Sequence, residues 1–131
     1  MNGLQFTDGV LARIRREGGY YDERAYLFVL AAVEYLQSGL DARRHVTGAE
    51  LAWACRGFAV EQFGLMAETV LRHWGVCRTD DFGRIVYTLV DVGLLVTQPG
   101  DRESDFAAVY DFADVFGGQY DWQGVPRTAT G

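Results

Sequence analysis

The chain has 131 residues, 49% of them hydrophobic and 14% aromatic, with only 2 Pro. That length suits a single domain with its own core, and the composition excludes a disordered or low-complexity segment. The formal net charge is −6 and all 12 cations are arginine, so the overall field does not steer the chain toward phosphate backbones.

In chain order, Thr7 is placed to cap a first helix over about 8–17, with Phe6 and Leu11 at the spacing of a hydrophobic staple and Ile14 turned inward. Gly18 and Gly19 end it. Asp22 caps a second helix over about 23–37, which closes near Gly39. Its stretch 25–33 is apolar almost all round, as expected of a helix at the centre of a fold. The polar connector SGLDARRHV leads to Thr47 and Glu50, a capping box for a helix over 48–63. There Leu51, Ala54, Cys55, Phe58 and Ala59 make an inward stripe that Trp53 and Phe63 widen. Gly64 interrupts, 65–74 forms a short helix and Gly75 ends it. Thr79 is expected to cap a helix over about 80–92, with Phe82, Ile85, Val86 and Leu89 inward and Gly93 as its stop. LLVTQ (94–98) reads as a strand, PGDRES as a turn and FAAVYDF (106–112) as the returning strand.

The pattern predicts a mainly α fold: a winged-helix-like bundle of about five helices with a C-terminal two-stranded hairpin. Residues 1–116 form the domain and 117–131 a flexible tail. The segment MNGLQFTDGVLARIRREGG lacks the apolar core and cleavage site of a signal peptide. The longest apolar run, AYLFVLAAV, is about half a membrane span. Two cysteines, Cys55 and Cys77, make no secreted disulfide framework. The expected compartment is the cytoplasm.

A winged helix raises the question of DNA. The second helix of such a unit meets base edges, with cations on the phosphates around it. Here that helix carries Asp80, Asp81 and Asp91 against a single Arg84. The expected wing carries Asp101, Glu103 and Asp105 against Arg102. Phosphate contacts use cations, so duplex DNA is disfavoured. Asp80 and Asp81 read more simply as complements to a helix N-terminus. Arg43, Arg44, Arg72 and Arg78 form a candidate anion patch, should they converge, and RNA or a ribosomal surface stays open as the alternative partner. Otherwise such arginines pair with nearby acids, Glu17, Asp41 or Glu68 among them.

Nothing in the chain carries a catalytic signature. His45, Cys55, His73 and Cys77 are separated by 10, 18 and 4 residues, which is not zinc-ligand spacing. Asp101, Glu103 and Asp105 resemble the start of a calcium loop, but Phe106 and Phe112 stand where its Gly and Glu belong. No nucleophile elbow, P-loop or HExxH is present. The expectation is no enzyme, no cofactor and no metal. The aromatic residues exceed what a minimal core needs, and Tyr and Trp are common interface anchors. The candidate partner surface is therefore Asp80, Asp81, Arg84 and Asp91 with Tyr120 and Trp122, on a protein-interaction or regulatory adaptor module.

Four stretches carry a resemblance: AYLFVLAAVEY (25–35), HVTGAELAWACRGFAVEQFGLMAETVLRHWGV (45–76), RTDDFGRIVYTLVDVGLL (78–95) and SDFAAVYDF (104–112). They resemble a family of small bacterial proteins, known mainly from planctomycetes and verrucomicrobia, to which no activity is assigned. The resemblance implies a cytosolic bacterial protein and transfers no site residue. Where this chain has AELAWACRGFA, the relatives carry a more charged helix, and the change argues against a surface role for it.

Overall fold

The two longest helices start with side chains that take up free amides of the first turn. The computed structural model describes residues 8–17 and 20–116. Over them run α1 (Asp8–Glu17), α2 (Glu23–Ser38), α3 (Gly48–Phe63), α4 (Ala67–His73), α5 (Thr79–Asp91) and the short α6 (Phe112–Phe116). Asp22 accepts from the Arg24 amide at 2.9 Å and so opens α2. At α3 the capping box is closed in both directions: the Glu50 amide donates to Thr47 Oγ1 at 3.1 Å, and the Thr47 amide to Glu50 Oε1 at 2.9 Å. Thr7, Phe6 and the side chains of Val10 and Leu11 lie outside what is described, as do residues 117–131.

The fold is mainly helical. α2 packs on α3 and α5, α1 on α5, and α4 on α3. The core runs through Tyr26, Val29 and Val33 of α2, Leu51 and Cys55 of α3, Leu71 of α4 and Phe82, Ile85 and Leu89 of α5, each 1% exposed or less. α2 is central as its sequence predicts, yet Leu27 is 41% exposed and Ala31 is also exposed. One strip of the central helix faces out. Among the described residues no helix is long and apolar enough to cross a membrane.

Two expectations need correction. Thr79 does not cap α5; it is the first residue of the helix and fully buried. Asp81 takes the capping role instead, its Oδ2 accepting from the amides of Cys77 at 2.8 Å and Arg78 at 3.1 Å. The hairpin is also absent: the described residues contain no strand. The reason is where the backbone donors go. Gly93, at φ 87, turns the chain left-handed after α5, a conformation glycine adopts without penalty. The amides of Leu94 and Leu95 then both return to Leu89 O, at 2.9 and 3.3 Å. Further on, the amides of Ala108 and Val109 donate to Asp80 Oδ1 at 3.2 Å and Thr79 Oγ1 at 3.1 Å. Four donors that would build a ladder are spent on the two ends of α5.

Between these points the chain forms a 3-10 turn, Glu103–Phe106. It lies across α3 and α5 and drives Phe106, 2% exposed, into a slot between them. The slot exists because Gly48 and Gly83 lack side chains. A Cβ at Gly83 would lie 3.0 Å from Phe106 Cβ, and one at Gly48 3.1 Å from Phe106 Cε2.

Candidate functional site

Of the two acids at the start of α5, Asp81 faces inward and Asp80 is half-exposed. Asp81 is 6% exposed; besides the two backbone amides, its Oδ1 accepts from Tyr21 Oη at 2.6 Å. Arg84 Nη1 sits 3.5 Å from the same oxygen. Burial, and then the bond to Asp81, pushes the Tyr21 hydroxyl far above its ordinary range. Asp80 holds the Ala108 amide. The candidate partner residues therefore do not form one face. Asp81 has no free edge, Asp80 is engaged with the segment that follows the 3-10 turn, and Arg84 is exposed beside them. Asp91 lies at the far end of α5, roughly 15 Å along its axis. Tyr120 and Trp122 lie outside the described residues.

The candidate anion patch is divided as well. Arg43 pairs with Glu34 at 3.1 Å, Arg44 with Glu50 at 2.7 Å and Arg72 with Glu68 at 2.8 Å. Arg44 is tied to the last turns of α2, since Gln37 Nε2 donates to Arg44 O at 2.6 Å. Arg72 and the exposed Arg78 belong to the other end, where the Asp22 amide donates to Trp74 O at 3.1 Å. The length of α2, roughly 22 Å, separates the two pairs. Of the acids suggested as partners by the sequence, Glu68 takes that role; Arg43 and Arg44 choose Glu34 and Glu50.

His45 and His73 lie apart in the same way. His45 Nε2 contacts Asp101 Oδ1 at 3.1 Å, pinning the connector to the 98–101 turn, whereas His73 ends α4. Cys55 is fully buried, and burial pushes its thiol far up. Cys77 is exposed. Among the described residues, no group of three or more His, Cys, Asp and Glu could hold a metal ion.

What the structure brings together is different. The end of α2, the connector after it and the first half of α3 line an open cleft of about 630 Å³, with Tyr35, Leu36, Leu40, Trp53 and Ala54 on its walls. The Arg44–Glu50 ion pair forms its rim. Trp53 stands at its edge, 49% exposed, with its ring 4.6 Å from that of Tyr110. Tyr110 is itself fixed, donating from Oη to Ala52 O at 2.7 Å. Trp53 is thus a large aromatic side chain packed on one side against Tyr110 and open on the other. The stripe of Leu51, Ala54, Cys55 and Phe58 masks Trp53 in the sequence, where an apolar residue beside the stripe reads as part of it. At about 100° per residue Trp53 lies roughly 200° from Leu51, on the opposite side of the helix. That phase is the available sign, and it leaves Trp53 on the exposed side of α3. A second cleft, of about 480 Å³, lies between Cys77–Asp80 and Ala108–Phe112.

No family model, curated protein or solved structure matches this chain.

Proposed function

We propose that the protein is a non-enzymatic protein-interaction module, a regulatory or assembly adaptor, which receives an apolar segment of a partner protein in the cleft between α2 and α3. The observation that carries this reading is Trp53: half exposed, braced by Tyr110, and set beside an apolar cleft with a charge-balanced rim. Partly desolvated aromatics, Trp and Tyr above all, dominate binding energy at protein interfaces. The neutral Arg44–Glu50 rim suits a protein side chain better than an anion.

The same proposal takes α3, α4 and α5 as a helix-turn-helix-like scaffold in which the packed strap 96–111 replaces a wing. The strap packs Phe106 against Gly83 between α3 and α5, and the side of α5 left open carries Asp91 and only one cation, Arg84. This favours a protein partner over the nucleic-acid or ribosome-associated reading, as do the paired arginines at opposite ends of α2. The cytoplasmic location and the kinship with the small bacterial family belong to the proposal too, and rest on the sequence alone.

The test compares tagged wild-type protein with Trp53→Arg and Leu65→Arg in affinity purification from the host, quantified by mass spectrometry. Leu65 is 68% exposed on the turn after α3 and serves as the control. The expected result is a reproducible partner retained by Leu65→Arg and lost from Trp53→Arg, with helical circular dichroism unchanged in both. A partner set unaffected by Trp53→Arg would overturn the proposed cleft.

A further inference from the structure

We draw no further inference here: the strongest candidate, the cleft between Cys77–Asp80 and Ala108–Phe112 at the start of α5, joins a helix N-terminus to a lone exposed cysteine, and no second feature there points to a ligand.

Discussion

Gly83 and Phe106 show how closely single residues are fitted. A methyl group at position 83 would meet Phe106 Cβ and Cδ2 at 3.0 Å and Glu103 O at 3.1 Å. The neighbours include backbone, so they cannot simply swing away. Gly83→Ala would ordinarily favour a helix by about 1 kcal/mol. Here overpacking opposes that gain, and we expect a net loss of about 1–2 kcal/mol, read as a lower urea midpoint at unchanged slope. An unchanged or higher midpoint would show that Phe106 is not wedged. Acid should expose a second set of residues. Glu50 is lowered from 4.5 to about 2, first by the Arg44 guanidinium and then by the Thr47 amide. Asp22 is lowered from 3.8 to about 2, first by the Arg24 side chain. A carboxylate held below its unfolded value stabilises the fold fully above that value and loses its contribution as pH falls through the folded one. Thermal stability should therefore fall between about pH 4.5 and 2. Glu50→Gln should flatten that decline; an equally steep fall in the variant would remove Glu50 from the account.

At the scale of elements, legibility follows the range of the chemistry. The starts of α2 and α3 are plain in the sequence because cap and capped amide lie two or three residues apart. Thr47→Ala should accordingly lose about 1 kcal/mol, measured by denaturant unfolding, while Thr47→Ser should retain most of the stability. The second strand of the hairpin is misread because the partners of its donors lie 28 and 30 residues away, on Asp80 and Thr79; the first is lost to a local return onto Leu89 O. Apolar residues at 94–95 and 106–112 announce burial, and burial alone does not distinguish a ladder from a strap. Thr79 is misread for a related reason: a threonine at a helix start suits a cap, but its hydroxyl accepts from the Val109 amide 30 residues on, while Asp81 takes the Cys77 and Arg78 amides just before the helix. Thr79→Val separates the two roles. We expect faster amide exchange at Val109, with the first turn of α5 still protected. Fraying of that turn with Val109 unchanged would restore Thr79 as the cap.

Across the whole molecule, counting charges indicates the sign of the field but not which charges are free. The sequence shows 12 arginines; the structure shows Arg43, Arg44 and Arg72 each paired with an acid and two of the three at the opposite end of α2 from the third. The cleft is illegible for a similar reason, since it is walled by two helices and their connector and only the helical phase of Trp53 hints at it. These features make a definite expectation for nucleic acid. Exposed ion pairs are individually weak and yield to salt, so at low ionic strength a polyanion can compete for a few of the arginines. It cannot recruit both ends of α2 through one short backbone segment without leaving the acidic partners unpaired beside it. Anisotropy titrations of labelled duplex DNA and of RNA should then show weak association at low salt that disappears at physiological salt. The slope of log affinity against log salt should correspond to about one or two phosphate contacts. Tight binding with a slope of about six contacts or more, abolished by Arg72→Ala together with Arg78→Ala, would instead make an arginine surface the working face of this protein and displace the Trp53 cleft from that role.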